Sequence, residues 1–152
     1  MYEQKVLNNE YSVDGDKNAM AEIYIMQAED AVGDAKTEAL ANAMTYINQA
    51  LEGKPENLTF LYNKAYIEML IEGTNNGKAL GTMQKLVDVI KSKDDITPYN
   101  GTLKFAYSYI ALYYYGSKNY ARALDYFRSW QEIEPDNTAV ADAIEKLSKV
   151  VN

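Results

Sequence analysis

The stretch Lys104–Asn137, KFAYSYIALYYYGSKNYARALDYFRSWQEIEPDN, decides how the whole chain is read. Within it Tyr107, Ile110, Ala111 and Tyr114 recur at three- and four-residue steps, the spacing that places side chains on one face of a helix. Gly116-Ser117 breaks that run. A second helical pattern, Tyr120 to Glu134, carries Ala123 and Phe127 and ends at Pro135-Asp136-Asn137. Two helices joined by so short a turn lie antiparallel. Ala111 and Ala123 are small where the two axes approach to about 8–10 Å, and Tyr107, Ile110, Tyr114 and Phe127 fill the wedge between them.

Working outward, the same punctuation divides the rest of the chain into further helices. The three prolines, Pro55, Pro98 and Pro135, each stand where a helix starts or has just ended. The spacing predicts helices over 18–32, 37–52, 58–71, 78–91, about 98–115, 120–134 and 138–151, seven in all and hairpinned in pairs. Leu40, Ala43, Met44, Ile47, Ala50 and Leu51 mark the second, and Met83, Leu86, Val87 and Ile90 the fourth. The last is amphipathic, with Val140, Ile144 and Leu147 opposite Asp142, Glu145 and Lys149. Thr97-Pro98 reads as a cap followed by proline in the first turn. Residues 2–15 have no clear period, so 1–17 is set apart as an irregular N-terminal arm.

The 34-residue stretch resembles a tetratricopeptide repeat (TPR). The family pattern is W-x2-L-G-x2-Y in the first helix, then alanine and an aromatic residue in the second, then proline. Tyr107 stands in the Trp place, Ile110 for Leu, Ala111 for Gly, and Tyr114, Ala123, Phe127 and Pro135 occupy the remaining places. Trp130 departs from the pattern, because the family commonly has a small residue there. That departure implies a displaced last helix or an indole covering an open end. A second-helix half-match lies at Ala43, Ile47, Ala50 and Pro55, and a weaker unit runs through Tyr62, Ala65, Tyr66, Met69, Ala79 and Met83. Ala43, Ala79 and Ala123 are spaced 36 and 44 residues apart, so insertions at Gly73–Gly77 and Asp94–Leu103 bring three units into one series.

The resemblance implies an all-α fold, a right-handed superhelical array of three TPR-like helix hairpins with a C-terminal capping helix (an alpha-alpha superhelix). Its units fall at about 18–57, 58–93 and 98–137, with the cap at 138–151, together a helical domain over 18–152. The alternative is a non-repeat helical bundle. In such an array the first helices line a concave face that holds a peptide or a partner helix. Carried over to this chain, the outward positions are Phe60, Asn63, Lys64, Ile67 and Ile71 in the middle unit, and Phe105, Ser108, Tyr109, Leu112 and Tyr115 in the last. The candidate partner-binding residues are Phe60, Asn63, Ile67, Phe105, Ser108, Tyr109, Leu112 and Tyr115. Members that clamp a partner's terminal carboxylate use Lys, Arg and Asn on this face; Ser108, Leu112 and Gly116 argue against a clamp here.

Composition sets the outer limits. The chain has 152 residues, a formal charge of −7, and neither Cys nor His. Those absences remove thiolate nucleophiles, Ser-His-Asp triads, imidazole bases and the usual zinc ligand sets. The acidic balance opposes nucleic-acid binding, which Lys and Arg drive by displacing counterions. Asp14-Gly15-Asp16-Lys17-Asn18 opens like a calcium loop, but Ala19 stands where glycine is needed and Ile25 where glutamate is needed. Asp16 or Asn18 is better read as a helix N-cap. Among fourteen tyrosines, Tyr113-Tyr114-Tyr115 cannot all face inward, because successive helical residues point about 100° apart. No catalytic residue, metal or cofactor is assigned.

The functional expectation is therefore a non-catalytic scaffold that binds a peptide or partner-protein segment in an apolar, aromatic groove. The alternatives are a self-associating module, with a homo-oligomer as its product, or part of a larger exported or envelope-associated protein whose groove is self-filled. No signal-like segment or long apolar run is legible in the chain as given, which leaves the cytoplasm and the periplasm both open.

Overall fold

The structure, a computed structural model, describes residue 3 and residues 14–151. Among the described residues there are seven α-helices and no strand: α1 Asp14–Glu29, α2 Gly33–Gly53, α3 Leu58–Glu72, α4 Leu80–Lys91, α5 Asn100–Gly116, α6 Tyr120–Ile133 and α7 Thr138–Val151. Apolar periodicity places every one of them to within a few residues. The N-terminus of α1 departs furthest from expectation. Asp14–Lys17, read as the end of an irregular arm, form its first turn, where Asp14 and Asp16 face the positive end of the helix dipole. Asp16 and Asn18 therefore lie inside the helix rather than capping it, and the rest of the expected arm apart from Glu3 lies outside the described residues. Thr97–Tyr99 forms a separate 3-10 turn, so α5 starts at Asn100 and not at Pro98.

Asparagine caps recur. The side chains of Asn57, Asn119 and Asn137 accept from the backbone N–H of Phe60, Arg122 and Val140 at the starts of α3, α6 and α7. Each satisfies a donor that the first turn of a helix leaves without an internal partner.

The chain divides into two compact units, Met1–Gly73 and Thr74–Asn152, a boundary that falls inside the expected middle repeat. In the first unit α2 packs on both α1 and α3, and α1 also touches α3. Its core joins Met20, Ile25, Leu40, Ile47, Phe60 and Ile67 around Ala21, Ala43 and Ala50. Tyr24 and Tyr46 stack with centroids 5.9 Å apart and planes 14° from parallel. Both hydroxyls donate to the Glu3 carboxylate. Burial, then Glu3 itself, pushes Tyr24 up to about 12 and raises Tyr46 as well.

In the second unit α4 packs on α5, α5 on α6, and α6 on α7. Met83, Leu86, Ile90, Leu103, Ile110 and Val140 are fully buried. Ala79, Ala111 and Ala123 expose nothing, as expected of residues that set how closely helices approach. Gly77 sits at φ +93° against the ring of Tyr113, and a Cβ there would fall 2.6 Å from that ring. Only glycine fits both conditions.

Candidate functional site

The second unit contains an open apolar groove of about 470 Å³. It arises from helical arithmetic on α5. Leu103, Ala106, Tyr107, Ile110, Ala111 and Tyr114 turn inward, and the 3.6-residue period then leaves Leu112 and Tyr115 on the flank, 51% and 53% exposed. Those two form one side of the groove, and Ala139, Asp142, Ala143 and Lys146 of α7 form the other. Phe127 and Trp130 of α6, with Val140 and Leu147 of α7, complete the lining. The small Ala139 and Ala143 keep the space open where longer side chains would fill it. Asp142 and Lys146 are its only charged members and carry opposite signs, so their formal charges cancel.

Trp130 is held from two directions. Its ring stacks on Phe127 at 5.9 Å and 12°, and its Nε1–H donates to Glu134 Oε2 at 2.7 Å. Asn137 Nδ2 donates to the same oxygen at 3.1 Å, while Lys104 Nζ lies 2.7 Å from Glu134 Oε1. These three partners, Lys104 foremost, hold the Glu134 carboxyl down to about 2. With its one polar atom satisfied, the indole offers the groove an apolar surface. Trp130, the departure from the repeat pattern in the sequence, lines an open space beside α7.

Of the eight residues singled out from the sequence, Leu112 and Tyr115 line this groove. Phe105 and Ser108 are half-buried on α5 outside it, and the Ser108 hydroxyl donates to the Phe105 carbonyl. Tyr109 is 5% exposed, which corrects its reading as a ligand-facing ring. Its hydroxyl accepts from the Ala79 N–H at 3.2 Å and its carbonyl accepts from Asn75 Nδ2 at 2.9 Å, so it helps to hold the start of α4. In the first unit Phe60 and Ile67 belong to the core, and their expected outward orientation is likewise corrected. The periodicity of α3 groups them correctly on one face; that face is covered.

Asn63 is half-buried and engaged across the first unit. Its Nδ2 donates to Asn18 Oδ1 at 2.9 Å and to Glu22 Oε1 at 3.1 Å, and Asn18 Nδ2 donates to the same Glu22 oxygen at 3.0 Å. Tyr66 donates to Glu29 at 2.5 Å, a second tie between α3 and α1 that raises the Tyr66 hydroxyl. Sequence reasoning missed Phe127, Trp130 and the α7 side of the groove as lining residues. Trp130 carried the available signal, a large side chain at a place where the resembled pattern is small.

Among the described residues no group of carboxylates is arranged to hold a metal ion, and no helix is long and apolar enough to cross a membrane. No protein-family model matches the chain, and no curated protein does. Among solved structures, the C-terminal part of a TPR repeat-containing protein from Cytophaga hutchinsonii is similar, with a TM-score of 0.72 at 18% identity over 86% of this chain. This chain spans 46% of that one, less than half its length. At such identity the likeness is one of fold: the chain has an all-α, TPR-like fold of the alpha-alpha superhelix class.

Proposed function

We propose that this chain is a non-catalytic interaction scaffold whose second unit takes a segment of a partner protein presenting apolar side chains. One observation carries the reading: large apolar residues, Leu112 and Tyr115, stand more than half exposed beside an apolar groove that none of the described residues of the unit fills. Exposed apolar surface gathered around a concavity marks a binding site more often than scattered apolar residues do. The groove volume lies within the range of ligand clefts, and its near-neutral lining favours a partner chosen by shape and apolar contact over one chosen by charge. The TPR-like fold supports a protein partner, because stacked hairpins offer extended surfaces of this kind.

The test selects a displayed library of random dodecapeptides on the full wild-type chain alone and then measures the enriched peptides against Leu112→Glu and Tyr115→Glu. Trp130 is the sole tryptophan and lines the groove, so its fluorescence reports occupancy directly. Enriched peptides are expected to shift that emission saturably, and each variant is expected to weaken binding at least ~10-fold with its far-ultraviolet spectrum unchanged. Peptides that bind wild type and variants equally overturn the proposal. So does a concentration-dependent dimer that either variant dissolves, because a second copy would then be the occupant.

A further inference from the structure

Trp130 is a large side chain lining the groove beside α7, and a large side chain there has two possible consequences. A loose indole would swing through rotamers and fill the groove at random. A fixed one gives the groove a wall of defined shape. The geometry around it decides between them. Stacking on Phe127 fixes the plane of the indole, but a stacked ring can still slide or flip. The 2.7 Å bond from Nε1 to Glu134 removes that freedom, because the donor sits at one edge of the ring and points one way only.

Glu134 is in turn held at both oxygens, one by Lys104 from α5 and the other by Asn137, which also caps α7. The carboxylate therefore links all three helices that line the groove. Charge assistance makes such bonds about twice as strong as neutral ones. We propose that Glu134 is a positioning residue of the groove, fixing the Trp130 indole as a preformed wall against which a partner's apolar side chain seats. The binding part of this inference rests on the proposed function, whereas the positioning part does not. A preformed wall spares the ordering cost that a mobile aromatic side chain would impose on binding, so its loss appears in affinity.

Glu134→Ala and Glu134→Gln separate positioning from general support. Both remove the ion pair to Lys104, but the glutamine carbonyl can still accept from the indole. In the free full chain, Glu134→Ala is expected to lose the near-ultraviolet fine structure of its single tryptophan and to gain accessibility to iodide quenching, while Glu134→Gln keeps most of both. With a peptide from the selection above, affinity is expected to fall further in the alanine variant than in the glutamine variant, by up to ~10-fold relative to wild type. If both variants lower the melting temperature equally and leave the indole spectrum and quenching at wild-type values, Glu134 only stabilises the helices and the inference is overturned. If the indole signals follow the expected order but no peptide discriminates the groove variants, positioning stands and the proposed function falls. Unaltered affinity in an alanine variant whose indole is loosened overturns the claim that the wall serves binding.

Discussion

In the first unit the space between α1 and α3 is stitched shut by side chains. Asn63 reaches Asn18 and Glu22, and Tyr66 reaches Glu29. In the second unit α5 and α7 face an open groove lined by Leu112, Tyr115, Ala139 and Ala143. Both units use the same construction, amphipathic helices spaced by buried alanines. A few positions decide the difference. Polar side chains of matched length pull neighbouring helices into a closed face, whereas a large indole with small alanines opposite leaves a space. Within one fold, sealing and opening are set by side chains outside the core.

The comparison breaks most readily at Asn63. Replacing it with alanine removes the donor to Asn18 Oδ1, on a residue 8% exposed, and a buried acceptor left without a partner costs about 1–3 kcal/mol. Leu112→Asn makes a comparable change in polarity on the open face, and a half-exposed surface position is expected to move stability by no more than ~0.5 kcal/mol. Urea denaturation of both variants measures the contrast. Equal losses would mean that the two faces are not energetically distinct.

That asymmetry also separates what the sequence made legible from what it did not. Helix positions followed from apolar period and from Gly, Pro and Asn punctuation, because those signals act over a few neighbouring residues. The buried alanines Ala43, Ala79 and Ala123 were readable for the same reason. Period says which residues share a face; it does not say whether another helix covers that face. Phe60, Ile67 and Tyr109 were misplaced on this account, and Leu112 and Tyr115 were found exposed. The ties from Asn18 to Asn63 and from Lys104 to Glu134 join residues 45 and 30 positions apart, a separation at which no local pattern is informative.

Titration sharpens the comparison at opposite ends of the pH scale. Glu134 in the second unit has a folded value of about 2 against an ordinary 4.5, so the unfolded chain takes up its proton first as the solution is acidified. Its contribution is complete above about 4.5 and is lost as pH falls toward 2. Glu134→Gln is expected to flatten that part of the stability profile. Tyr24 in the first unit runs the other way. Its native value of about 12 exceeds the ordinary 10, so the folded state keeps the proton longer and stability is lost between pH 10 and 12. Tyr24→Phe is expected to flatten that alkaline limb and leave the acid limb intact. Thermal midpoints across pH measure both, and a Glu134→Gln variant with an unchanged acid limb would contradict the assignment.

The smallest expected effect concerns two ion pairs within the second unit. Lys149 and Glu145 lie 3.3 Å apart on the surface of α7, with their side chains 74% and 69% exposed. Water screens such a pair, and fixing two long side chains offsets most of the attraction, so Lys149→Ala is expected to change stability by less than ~0.5 kcal/mol. Lys104 and Glu134 are closer, at 2.7 Å, and the same carboxylate also receives Trp130 and Asn137. Lys104→Met should therefore exceed Lys149→Ala in its effect on the melting temperature and keep part of that effect at pH 3, where the folded Glu134 carboxyl, held down to about 2, is still mostly ionised. Raising the salt concentration should erase the Lys149 effect first, because an isolated exposed pair depends on unscreened charge, whereas the Glu134 carboxylate keeps its hydrogen bonds to the indole and the asparagine amide.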